Sequence, residues 1–217
     1  MKAEEKWIID TNLIVYWLVS SQILPFAITR FGLSEAFLAT YKNRYEPSLS
    51  FVDKVLEAPK HEGRFSVVEL SLNELFSGIR DEIRTIILFV KGVPMSRWAH
   101  KRETSEVSFP VDLSEKVHKL TLQGFDILFA TKKIAITRTI GPSDFDDYFD
   151  VYSSLVFLNP GMKTQDAILI AHAIFDKADH FVTTDESLLK LGKELRKNYG
   201  LDVVKPQRAL EVMRARK

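Results

Sequence analysis

Cysteine is absent from this 217-residue chain. Disulfide frameworks, thiolate metal sites, iron–sulfur clusters and cysteine nucleophiles are therefore excluded. A surplus of one charge is missing too: 30 basic and 29 acidic residues leave a formal net charge of +1. Dedicated nucleic-acid binders often carry a marked basic excess, so any grip on a polyanion here has to be local, a basic rim around a site. The N-terminal MKAEEKWIID lacks the apolar core of a secretory signal. No apolar stretch reads as reaching the roughly 20 residues that a membrane helix needs. The expectation is a cytoplasmic protein with no membrane partner. No GxSxG, P-loop, GxGxxG or HExxH pattern occurs, which weighs against a nucleophile elbow, an NTPase, a dinucleotide site and a zinc hydrolase.

What is present suits one core: 46% of the residues are hydrophobic, and neither a long polar tract nor a composition shift marks a domain boundary. The reading is one domain over residues 1–217. Lys6 to Ile9 is a short strand candidate ending at Asp10, and an Asp before NLIVYWLVS is a good helix N-cap. Pro25 and Gly32 predict irregular structure. Ser34 opens a helix through SEAFLATYKN, and Pro47-Ser48 open a separate one that Pro59 ends. RFSVVELSL is β-rich, and Asn73 caps the helix that follows it. Ser114 opens a helix to about Gln123, KIAITRTI alternates like a strand, and Ser143 caps a helix stopped by Asn159-Pro160-Gly161. Thr164 to about Ala178 is a helix with Ala167, Ile170, Ala171, Ile174 and Phe175 as its buried stripe. HFVTT is a strand, ESLLKLGKELRKNYG a helix, and LDVV a last strand before Pro206. Strands separated by helices predict an α/β fold with a mainly parallel central sheet.

Four acids fall where strands hand over to helices: Asp10 in WIIDTNLIVYW, Glu74 in LSLNELFSGI, Asp166 in KTQDAILIAHA and Asp185 in FVTTDESLLK. Singly, each has an ordinary use as a cap or as a first-turn carboxylate that favours the helix dipole. Together they belong to one kind of junction. In a parallel sheet all four lie along the carboxyl edge, where open α/β folds bind ligands. Four like charges stay ionised in one cleft only with a cation present. Oxygen donors without His or Cys match a hard ion, Mg²⁺ or Mn²⁺. The flanking Thr11, Asn12, Thr183 and Thr184 can hold carboxylates or waters behind it. A second acidic set, Asp144, Asp146, Asp147 and Asp150, lacks the glycine and spacing of a calcium loop and reads as a solvated helix start.

The pieces IIDTN, SLNELFSG, TQDAILIAHA and FVTTD, in that order, with Asp185 following Asp166 by 19 positions (185 − 166), resemble the PIN-domain nucleases. YGLDVVKP is similar to that family's last strand. The resemblance covers about residues 4–19, 48–80 and 160–207. It implies a Rossmann-like PIN fold whose acidic cleft binds Mg²⁺ or Mn²⁺ and cuts RNA. Asp10, Glu74, Asp166 and Asp185 would be the catalytic, metal-binding carboxylates, with Asn12 and Thr183 assisting. It also implies an antitoxin-like protein partner and a homodimer, as in VapC-type toxins. The chain departs from those short toxins by extra length at about 20–47 and within 81–159, an elaborated middle region.

Single-stranded RNA calls for phosphate contacts and stacking. Arg97, Trp98, Lys101 and Arg102, with His100 among them, supply both types of contact, and Lys132, Lys133 and Arg138 are further candidates. Two other readings stay open. One is a catalytically idle PIN-like module that binds RNA or protein. The other is an aspartate-based phosphatase, against which stands the run DTN where a DxD is required.

Overall fold

The computed structural model describes residues 5–58, 64–94, 109–137, 140, 144–159 and 161–215. Among these residues, five short strands form one all-parallel sheet in the order β3-β2-β1-β4-β5. The strands are β1 (Trp7–Ile9), β2 (Phe65–Val67), β3 (Ala135–Ile136), β4 (His180–Val182) and β5 (Asp202–Val204). β1 is central, with Ile9 in register with Val182 of β4 and Trp7 with Phe65 of β2. The fold is thus α/β, a parallel sheet flanked by helices of Rossmann-like type. The order of connection reverses between β1 and β4, and such a switch point leaves a crevice outside the carboxyl ends of the strands.

Side chains alternate across a strand, and this alternation divides the core in two. Trp7, Ile9, Phe65, Val67, Val182 and Val204 face one hydrophobic cluster. Ile8, Phe181 and Val203 face the other. The first cluster is covered by α1 (Thr11–Leu18), α2 (Leu24–Phe31), α3 (Glu35–Glu57), α4 (Leu72–Val90), α5 (Val111–Phe125) and α9 (Pro206–Arg214). The second is covered by α6 (Phe145–Leu158), α7 (Thr164–Phe175) and α8 (Glu186–Tyr199). Gly200, at φ +75°, closes α8 in the left-handed region that favours glycine and turns the chain into β5.

Several expectations give way to tertiary packing. Pro25 does not interrupt the first helix. A π-turn at Val19–Ile23 joins α1 to α2, and Pro25 falls in the first turn of α2, where a missing N–H costs little. The resulting run Thr11–Phe31 spans 21 residues. By length and composition it could cross a membrane, which corrects the sequence reading, but most of it is buried in the first cluster. Pro47 likewise lies inside a single 23-residue α3 rather than between two helices. A proline there forfeits the bond to the carbonyl of Asn43, which lies on the exposed side of the helix. Tyr41, Phe51, Val52 and Val55, buried on either side of the proline, hold the helix together. The indole N–H of Trp17 adds a tie from α1 by donating to Asp53 at 2.7 Å.

Asn73 is not a cap. The turn Glu69–Ser71 leads directly into α4, and Asn73 sits in its first turn. α5 starts at Val111, before Ser114. Among the described residues of KIAITRTI, Ala135–Ile136 form the strand. Ser143 lies outside the described residues, and Asp144 occupies the cap position of α6. Ile174 and Phe175 are half-buried rather than fully buried. The chain after β5 continues as α9.

Candidate metal centre

Asp10 is the residue immediately after β1. Its extended backbone (φ −63°, ψ 138°) and side chain cap α1, with Oδ1 accepting the N–H of Asn12 at 3.2 Å. Its Oδ2 accepts the hydroxyl of Thr183 at 2.5 Å. Thr183, fully buried just past β4, in turn accepts the N–H of Asp185 at 2.9 Å. One hydroxyl therefore joins the ends of the two strands that flank the switch point. Asp185 caps α8 and accepts both the N–H of Ser187 at 2.7 Å and its hydroxyl. Glu74 arrives from the first turn of α4 after β2, and Asp166 from the first turn of α7, which leads into β4.

All four acids line one open cleft of about 440 Å³ at the carboxyl edge of the sheet, together with Asn12, Asn73, Ser77, Lys163 and Gln165. Asp10 forms the buried floor, while Glu74, Asp166 and Asp185 are half-buried. Among the described residues no three carboxyl or imidazole groups converge closely enough to grip one ion directly.

Burial first, and mutual repulsion second, perturb the carboxyls of the cleft. Burial pushes the carboxyl of Asp10 above its ordinary range. The bonds from Thr183 and Asn12 oppose this, and the charges of Asp185 and Asp166 add to it. Glu74 is raised by burial, then by Asp10 and Asp166. Asp166 is raised by burial and by Asp185, with Lys163 opposing. Asp185 moves the other way: burial alone would raise it, but the bonds from Ser187 and the N–H of Leu188, with the charge of Lys163, hold it below the usual range. A cation placed here would offset both the burial of these charges and the repulsion that adds to the rise of three of them.

The structure brings Asp10, Asn12, Glu74, Asp166 and Asp185 to one cleft and sets Thr183 directly behind Asp10. It does not bring Lys132 or Lys133 there. Both precede β3, and Lys133 donates to the carbonyl of Ala58 in the segment leading towards β2, at the opposite, amino edge of the sheet. Arg97, Trp98, His100, Lys101, Arg102 and Arg138 lie outside the described residues. The acids of α6 are exposed, as a solvated helix start should be.

Sequence reasoning missed Lys163, Gln165, Asn73 and Ser77. A signal existed for two of them. Ser77 follows Glu74 by three positions and shares a helix face with it, while Lys163 is the extended cap residue three positions before Asp166. No protein-family model, curated protein or solved structure matches the chain.

Proposed function

We propose that this chain is a divalent-metal-dependent ribonuclease on a PIN-like fold, hydrolysing phosphodiester bonds of single-stranded RNA in the cytoplasm. The observation that carries the reading is the meeting of Asp10, Glu74, Asp166 and Asp185, from four separated segments, in one cleft at the switch point of a parallel sheet. The donor set fits Mg²⁺ or Mn²⁺: it offers only oxygens, and its carboxylates repel one another without a counter-ion. Mg²⁺ keeps most of its waters and takes one or two direct carboxylates, with substrate phosphate completing the shell. That suits a cleft in which no three acids crowd together.

When bound, such an ion supplies charge neutralisation for the phosphodiester and a more acidic water. The chain's own groups do the rest. Thr183 and the N–H of Asn12 fix both oxygens of Asp10, so the floor of the cleft is preorganised. Lys163, exposed at the rim, offers a cation to an incoming phosphate and offsets the charge of Asp166 and Asp185. Half-buried Glu74 and Asp166, their carboxyls raised first by burial, line the cleft with Lys163 and can orient the attacking water.

The decisive experiment is cleavage of a labelled single-stranded RNA with Mn²⁺, comparing the unmodified chain with Asp10→Ala and Asp166→Ala. Cleavage is expected to need Mn²⁺ and to disappear in both variants while their circular dichroism is unchanged. Cleavage at the original rate by either folded variant would remove that carboxylate from the mechanism. The spacing of the acids also favours one second reading, an idle PIN-like module that binds RNA or protein. Calorimetric titration separates the two, because an idle module takes up no Mn²⁺ that depends on Asp10.

A further inference from the structure

Beside the acidic cleft lies a second, polar groove of about 250 Å³, lined by Tyr16, Arg44, Tyr45, Ser48, Thr184 and Gln207. Its tie to the cleft is direct. Thr184 stands between Thr183, which bonds Asp10, and Asp185. Tyr16 lies close enough for the charge of Asp10 to bear on its phenol. One wall is rigid: the rings of Tyr16 on α1 and Tyr45 on α3 stack with centroids 4.0 Å apart and planes 18° from parallel. The guanidinium of Arg44 is held over the ring of Tyr45, 5.2 Å from its centroid.

Arg44 is exposed, and among the described residues it makes no ion pair or hydrogen bond. Glu82, whose charge it feels, already accepts the hydroxyls of Tyr41 at 2.8 Å and Tyr45 at 3.4 Å. The guanidinium fork is therefore available to an anion. A planar cation braced on an aromatic ring, with hydroxyls and a carboxamide around it, matches a nucleotide: the phosphate meets the fork, and the sugar and base meet the polar wall.

We propose that this groove is a subsite for a nucleotide flanking the scissile bond of single-stranded RNA, with Arg44 contacting a backbone phosphate. The proposal rests on the nuclease reading, and what favours RNA over a peptide is the groove's position beside the acids. The subsite lies partly within residues 20–47, so this elaboration contributes to substrate binding.

The test is fluorescence anisotropy with a labelled single-stranded RNA 12-mer, on the full chain carrying Asp10→Asn to silence cleavage. Adding Arg44→Gln should weaken binding about tenfold and reduce the slope of log affinity against log salt by about 0.7, the loss of one phosphate contact on a single strand. Arg44→Lys should keep the slope and recover part of the affinity. Gln207→Ala, on an exposed face of α9, should weaken binding less and leave the slope intact. It also serves as an independent readout if the arginine variants fold poorly. RNA bound equally well, with the same salt slope, by the Asp10→Asn chain and by all three further variants would overturn the subsite and leave the nuclease reading standing. Failure of both the Asp10→Asn chain and the unmodified chain in EDTA to bind RNA would overturn both.

Discussion

Thr183 donates its hydroxyl to Asp10 and accepts the N–H of Asp185, so one buried side chain couples the carboxyl ends of β1 and β4. Thr183→Val keeps the shape and removes both bonds. A hydrogen bond to a charged group contributes about 1.5–3 kcal/mol. Losing it should raise the Asp10 carboxyl further and weaken Mn²⁺ binding by roughly 10–100-fold, the range typical of groups that orient metal ligands. Thr183→Ser should restore most of the affinity. Isothermal titration of both variants checks this, and equal affinities for Val and Ser would show that the hydroxyl is idle.

Asp10 is costly to the metal-free fold. Its folded-state carboxyl is raised, so the folded chain holds a proton more tightly than the unfolded one there, and stability falls as pH climbs through the ordinary carboxylate range and above. Glu74 and Asp166 act in the same direction. Asp10→Asn keeps a competent N-cap and removes a buried charge. In EDTA at neutral pH its melting temperature should rise, by roughly 2–4 °C for each kcal/mol relieved in a chain of this size. Added Mn²⁺ should stabilise the unmodified chain and leave the variant nearly unmoved. A variant that melts lower in EDTA would contradict the electrostatic account of the cleft.

His172 predicts a loss of stability at mildly acid pH. It is buried in α7, its ring 5.0 Å from that of Tyr148. Burial lowers its pKa below 6.5, against the pull of Asp176 and Glu69. The unfolded chain therefore takes up a proton first as pH falls, and stability drops below the ordinary histidine value by up to about 1.4 kcal/mol per pH unit. His172→Phe, which keeps a ring against Tyr148, should flatten urea-midpoint stability between about pH 7 and pH 5. An unchanged slope would place the titrating group elsewhere.

Pro47 interrupts the hydrogen bonding of α3 without breaking the helix. Pro47→Ala restores a donor for the carbonyl of Asn43 and removes the steric conflict with it. Stability should rise by about 1–3 kcal/mol, read as a higher denaturant midpoint with an unchanged slope. Because Pro47 also borders the groove beside Arg44, RNA affinity measured alongside would reveal whether the proline shapes that wall.

The junctions carrying Asp10 and Asp185 were legible because their signals are local, whereas Asp166, expected after a strand, opens α7 after the helix α6. An apolar run, an acid or small polar residue, and then a helical apolar stripe is the pattern of a strand handing over to a capped helix. Pro25 and Pro47 were misread for the opposite reason: the local preference for a break was outweighed by core contacts made far along the chain. The electrostatic link from Lys163 to Asp185, and the stacking of Tyr16 on Tyr45, could not be seen at all, since neither follows from a helical or strand period.

By itself, the sequence determined that each of the four acids is an oxygen donor at the start of a helix, and where most of those helices run; backbone capping and side-chain periodicity are short-range effects. Only the tertiary structure decided the strand order, the single cleft that four distant segments share, and the groove beside it. These depend on how two apolar faces of one twisted sheet are covered by helices, and burial is non-directional, so it specifies partners only when the whole chain has packed.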